Sequence, residues 1–224
     1  MVNQLAGRHG TAHHTRQEMV QVSRTLVALS LNRGTSGNLG VRLEQSFLVT
    51  PSGVPAEDLS SDAMVEMDFS GTVLGTGNPS SEWRFHRDIL LARPEVDAVV
   101  HTHSRFATSL ACLHLEIPAF HYMIAVAGGD TIRCTPYALF GSQALSDLAL
   151  CALENRKACL LGNHGLIALG ADLTEALAMA VEVESLCEQY WSALQLGQPH
   201  LLSSSQMQEV LEKFKDYGRC RKTD

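Results

Sequence analysis

Stretches whose apolar residues recur with a helical period alternate with short continuous apolar runs along almost the whole chain, and this interleaving restricts the fold more than any other feature. A helix must bury a stripe and a strand must bury one face or both, so alternating elements satisfy one another by layering helices against a sheet. Met19, Val22, Leu26 and Leu29 stand at helical spacing behind Thr15 and Glu18, which form a capping box, and this helix is expected to end near Gly34. LGVRLEQSFLVTPSG reads as two short strands joined at Glu44 and Gln45 and closed by a turn. SSEWRFHRDILLARP reads as a helix with Phe85, Ile89 and Ala92 on one face, stopping before Pro94. VDAVVHTHS is expected to be a strand, RFATSLACL and GSQALSDLALCALENR helices, and KACLLGNHGLIALG a strand, turn and strand. A long helix capped by Thr174 follows, then a last helix in SQMQEVLEKFKDY. The expectation is an α/β layered domain, and the hairpin at Glu44 points to a mixed or largely antiparallel sheet.

No repeat, linker or low-complexity tract divides the 224 residues, and a 45% hydrophobic content fills a sizeable core, so one domain over 1–224 is expected, with residues 1–14 flexible and 218–224 a mobile tail. A net charge of −7 and a pI near 5.8 argue against a nucleic-acid partner, which would call for a basic face. Six scattered cysteines without a CxxC pair suit reduced, mostly buried thiols. With no signal-peptide pattern and no apolar window of about 20 residues, a cytoplasmic protein away from membranes is expected.

The strand reading of AVVHTHS raises the question of why a core strand should end in two imidazoles. In a strand, residues i and i+2 share a face, so His101 and His103 point together and Thr102 turns away. Two imidazoles on one face can share a metal, and a catalytic zinc usually takes three protein ligands. His164, in the Asn/Gly-flanked turn of GNHGLIAL, is the best third candidate. His9, His13, His14, His114 and His200 lie in polar or irregular contexts and are given no site role. A second constellation, Ser80–Trp83, opens a helix, where hydroxyls and free N–H groups form a ready anion site with Glu82 in the first turn. GTSGN (Gly34 to Asn38) and TPSG (Thr50 to Gly53) are rich in the small groups whose backbone N–H donors cradle phosphate. Neither loop has the pattern of a nucleotide-binding motif.

GTSGN, VTPSG, PSSEWRFH, AVVHTHS, IPAFHYMIAVAGG, PYALFG, NHGLIA and VLEKFKDYG follow the order and spacing of the class II aldolases of the aldolase/adducin superfamily, which the chain resembles from its first helix to Tyr217. The likeness is strongest to the bacterial L-fuculose-1-phosphate aldolases. It implies a three-layer αβα sandwich around a mostly antiparallel sheet, assembled as a homotetramer with sites between subunits. It also implies one zinc per subunit on His101, His103 and His164, with Glu82 as resting ligand and base. Asn38, Ser80 and Ser81, with Gly37, Ser52 and Gly53, are expected to hold the substrate phosphate. Tyr122 is expected to reach a neighbouring subunit's site as proton donor, with Phe140 and Tyr217 on the aldehyde side. The implied reaction is reversible cleavage of a ketose 1-phosphate, L-fuculose 1-phosphate first, into dihydroxyacetone phosphate and L-lactaldehyde. A 5-deoxy- or 5-methylthiopentulose-1-phosphate aldolase is the alternative, followed by a pentulose-phosphate 4-epimerase and a non-catalytic adducin-like module. Asn163 stands where the fuculose-phosphate pattern has a histidine, and the RCRKTD tail, close to where the aldehyde would enter, is a second departure that, with the first, bears on the substrate.

Overall fold

A computed structural model describes residues 12–215, and Tyr217 and the two expected flexible ends beyond those limits lie outside them. In chain order the elements are α1 (Ala12–Ala28), β1 (Asn38–Arg42), β2 (Ser46–Val49), β3 (Val65–Asp68), α2 (Trp83–Ala92), β4 (Ala98–Thr102), α3 (Arg105–Cys112), α4 (Gln143–Ala152), β5 (Ala158–Leu161), β6 (Gly165–Gly170), α5 (Leu173–Leu196) and α6 (Ser204–Lys215). Short 3-10 turns cover Ser61–Ala63 and Tyr122–Ala127. The strands form one sheet in the order β3-β2-β1-β4-β6-β5, with every neighbouring pair antiparallel.

Side-chain alternation along the strands separates two cores. Ala98 and Val100 of β4 and Leu166 and Ala168 of β6 face one layer with α1, α3 and α5. Val99, Ile167 and Leu169 face the other, against Phe85, Ile89 and Leu90 of α2 and Leu145 and Ala149 of α4. The result is the expected αβα sandwich. All five residues of β4 are buried, because a central strand covered on both faces has no solvent side.

Residues 12–14, expected to be flexible, open α1, and of the five described cysteines only Cys159 and Cys187 are buried, not most of them; four further details differ from the sequence reading. The first helix begins at Ala12, so Thr15 is not its cap but a buried residue on its inner face. It ends at Ala28, six residues short of Gly34. Asp172 rather than Thr174 caps α5, its side chain accepting from the Glu175 N–H at 2.8 Å. Ala92 is exposed, and the inner face of α2 is made instead by Phe85, His86, Ile89 and Leu90.

Candidate active site

The continuing alternation of β4 places His101 on the side of the sheet that faces α2, where its ring meets Phe85 at 5.5 Å. His103, just past the strand, points the same way, and the β5–β6 turn brings His164 beside them. The three ring centroids stand 4.8 to 4.9 Å apart. Glu82, buried immediately before α2, completes the group, and one ligand atom from each of the four lies within 4.8 Å of the others. The positive φ of Asn163 (56°) turns the chain so that His164 points inward. Gly165 is required by close approach, because a Cβ there would lie 2.3 Å from the Thr102 carbonyl oxygen and 3.2 to 3.3 Å from the His103 and His101 rings.

Hydrogen bonding makes this a cluster of electron pairs. His101 Nδ1 donates to the Leu166 carbonyl at 2.9 Å, which leaves Nε2 to face His103 Nε2 at 3.0 Å and Glu82 Oε2 at 3.2 Å. Burial and the neighbouring imidazoles lower the His103 and His164 pKa values to about 4, so both are neutral at pH 7. Burial alone would raise the Glu82 carboxyl, but the adjacent His101 and His164 imidazoles and the hydrogen bond from Asn38 outweigh it and hold the group ionised, well below the usual carboxylate range. Glu82 Oε1 is buried 3.3 Å from His164 Nε2 without a hydrogen bond. Converging lone pairs and one negative charge repel unless a cation lies among them. The contacts of 3.0 and 3.2 Å at His101 Nε2 are close to the edge of about 3.3 Å that tetrahedral ligands have at metal–nitrogen bonds of about 2.0–2.1 Å, and the four ligand atoms all lie within 4.8 Å of one another. The donor set therefore fits a divalent metal, and Nδ1 of His101 is anchored as outer-shell partners of metal ligands usually are.

Beside this group lies a cleft of about 430 Å³. Its polar side is built from the Thr35–Asn38, Pro51–Gly53 and Ser80–Ser81 segments, and Gly37 and Gly53 adopt positive φ values of 74° and 72°. At 37 a side chain would meet the Asn32 amide at 2.2 Å. Asn32 also fixes the strand end, its Oδ1 accepting from the His103 N–H at 3.0 Å. The other side carries Tyr137, Ala138 and Phe140, on a loop held by the Arg84 guanidinium, which donates to the Gly141 carbonyl at 3.0 Å.

Gly37, Asn38, Ser52, Gly53, Ser80, Ser81, Glu82, His103, His164 and Phe140 thus line one cleft, with His101 directly behind. Tyr122 is half exposed and does not line the cleft of its own chain. Tyr137 lines it without having been singled out, although it stands in the quoted PYALFG motif, and Asn163, named as a departure from the fuculose-phosphate pattern, lines it too. His86 is fully buried and also escaped attention, although it lies four residues after Glu82, one helical turn along the same face.

Residues 17–191 match the family described as Class II Aldolase and Adducin N-terminal domain, and the chain belongs to that family. It is an enzyme of the class II aldolases, which are metal-dependent lyases. Among its relatives, the 5-methylthioribulose-1-phosphate/5-deoxyribulose-1-phosphate aldolase of Rhodospirillum rubrum is 52% identical over 216 residues, covering 96% of this chain and 94% of that one. The L-fuculose phosphate aldolase of Escherichia coli K12 is 44% identical, covering 90% and 94%. A solved L-fuculose 1-phosphate aldolase superposes with a TM-score of 0.88 at 38% identity, over 92% of this chain and 100% of that one.

Proposed function

We propose that this enzyme cleaves a 5-deoxy- or 5-methylthiopentulose 1-phosphate between C3 and C4, giving dihydroxyacetone phosphate and a small aldehyde, with zinc on His101, His103, His164 and Glu82. The observation that carries the substrate class is the two-sided cleft: small hydroxyl and glycine groups on one side, and on the other the half-exposed aromatic faces of Tyr137 and Phe140. An apolar or thioether tail finds contact with such faces, whereas a hydroxylated tail gains less. The 52% identity to the Rhodospirillum rubrum enzyme points the same way. L-fuculose 1-phosphate is the second reading, favoured by the 44% relative and the TM-score of 0.88. An apolar wall separates such tails by only about 1–3 kcal/mol, so both substrates are expected to turn over at unequal rates.

When bound, zinc supplies the positive charge that cleavage beside a carbonyl requires. The Ser80–Ser81 hydroxyls, the Asn38 amide and the Gly37 and Gly53 loops hold the phosphate and fix the reacting carbons against Glu82. In the condensation direction the ionised Glu82 carboxylate removes the C3 proton of dihydroxyacetone phosphate. Tyr122 from a neighbouring subunit protonates the oxygen that develops on the aldehyde, in an assembly we take to be a homotetramer. The exposed face of Tyr122, with Leu113 and Leu115 also open to solvent, suits residues covered by another copy. No described helix is long and apolar enough to cross a membrane. We take residues 1–224 as one domain acting in the cytoplasm, in carbohydrate salvage.

The test is dihydroxyacetone phosphate release, followed through a coupled reductase, from 5-deoxyribulose, 5-methylthioribulose and L-fuculose 1-phosphates by zinc-loaded and chelator-treated enzyme. Chelator-sensitive release with the highest kcat/KM on a pentulose phosphate is expected. A preference for L-fuculose 1-phosphate would reverse the order of the two readings, and no release from zinc-loaded protein would overturn both.

A further inference from the structure

Glu82 has to present its carboxylate in one orientation, and the structure holds it through a chain of buried polar groups that begins well behind the metal cluster. A carboxylate only accepts, so the contact of 2.9 Å between Asn38 and Glu82 Oε2 must be made by the Asn38 Nδ2 amide. This turns Asn38 Oδ1 to the opposite side, where it meets His86 Nε2 at 2.5 Å. His86 must therefore donate from Nε2, and its Nδ1 keeps a bare lone pair. That Nδ1 is buried with no hydrogen-bond partner. The ring is clamped in place: it is fully buried, it lies 4.5 Å from Phe85, and a Cβ at Gly40 would come within 2.5 Å of Nδ1. Register explains the meeting, since Asn38 pairs with His101 and Gly40 with Val99, putting Asn38 and Gly40 on the face that looks toward α2.

A buried acceptor left unpaired is destabilising, and an apolar side chain at the same place would avoid that cost. Packing alone therefore does not account for an imidazole at position 86. Its one polar contact sets which end of the Asn38 amide faces Glu82. With the amide reversed, an oxygen would confront the carboxylate and push it out of line with His101 and His164.

We infer that His86 is a positioning residue for the aldolase reaction, orienting the Asn38 amide by an Nε2–H donation so that Asn38 in turn holds Glu82 in its working orientation. This rests on Glu82 acting as the base, and the experiment separates the two claims. His86→Leu, His86→Gln, Asn38→Ala and the Asn38→Ala/His86→Leu double variant are compared for zinc content, thermal midpoint, kcat and KM. His86→Leu is expected to keep one zinc per chain and a folded transition while kcat falls about 10–100-fold, more than KM changes, as outer-shell losses commonly do. His86→Gln, which can still donate, should recover most of that loss. In the Asn38→Ala background His86→Leu should cost less than a further twofold, because the relay is already cut.

A kcat within twofold of the parent in zinc-loaded His86→Leu overturns the inference, as does a loss of equal size with and without Asn38, or one that tracks lost zinc. Should His86→Leu fail to fold, His86→Gln and the shorter His86→Asn decide. Turnover in the first and impairment in the second supports the relay, and equal turnover overturns it. A parent enzyme with no aldolase turnover would instead overturn the proposed function, and the inference with it.

Discussion

Replacing Glu82 by glutamine removes a charge and a base while leaving the shape of the site nearly intact, so its consequences can be worked out atom by atom. Asn38 Nδ2 donates at 2.9 Å to the present Oε2 and still needs an acceptor, so the glutamine oxygen takes that place beside His101. The amide nitrogen then occupies the position of Oε1, 3.3 Å from His164 Nε2, replacing a charged oxygen with a neutral group of the same size. The three histidines keep their positions, and His101 keeps its bond to Leu166. The variant is therefore expected to fold and to retain metal through the imidazoles. What disappears is the group proposed to move the C3 proton. General-base catalysis contributes about 10²–10⁴ in rate, which at 1.36 kcal/mol per decade raises the barrier by about 2.7–5.4 kcal/mol. The assay is dihydroxyacetone phosphate release at saturating substrate, with zinc measured on the same sample. A kcat within tenfold of the parent, at equal zinc content, would refute the base role of Glu82 and the orientation argument built on it.

Gly165→Ala places a methyl group 2.3 Å from a backbone oxygen in the β4–β6 pair, and is expected to cost about 1–3 kcal/mol of stability. Its denaturant midpoint and zinc affinity should both fall, and an unchanged midpoint would mean the strands are further apart than described. Tyr122→Phe and Glu82→Gln, each nearly inactive alone, should regain activity when refolded together, since a mixed assembly pairs an intact Glu82 with an intact Tyr122; a mixture no more active than its parents would show that Tyr122 serves no neighbouring site. In metal-free protein the pKa of His86 is lowered to about 3 and those of His103 and His164 to about 4, from 6.5. Between those values and 6.5 the unfolded chain binds protons that the folded chain refuses, so stability is lost as pH falls. The thermal midpoint in chelator should therefore drop from pH 7 to pH 4.5, and a flat profile would contradict the burial of these rings.

The period of the apolar residues was enough to read eleven of the twelve helices and strands, because each had a strong pattern of its own. Residues Val65–Asp68 escaped because four residues with two acids carry too little signal, and Tyr122–Ala127 because an apolar run in a 3-10 turn has no helical period. Strand geometry placed His101 and His103 on one face from spacing alone, and the turn histidine joined them as expected. His86 was illegible for the opposite reason: a histidine at an apolar helical position reads as core until the strand beside it is known. The Thr15 capping box failed because the helix continued one turn back to Ala12, and local caps yield when preceding residues can stay helical. The role proposed for Tyr122 depends on a second chain, which no periodicity within one chain describes.

His101 and His103 are carried by the central strand β4 and its end, His164 by the tight β5–β6 turn and Glu82 by the root of α2, whereas Tyr137 and Phe140 stand on a surface loop. Mutational tolerance is therefore divided sharply within a single cleft. On the proposed function, changes that retune which aldehyde is accepted fall where the fold has little to lose, and changes to the bond-breaking apparatus fall where it has most. A lineage built on this plan can drift from one sugar tail to another through loop substitutions that are nearly neutral for folding, and its relatives will differ in diet long before they differ in chemistry.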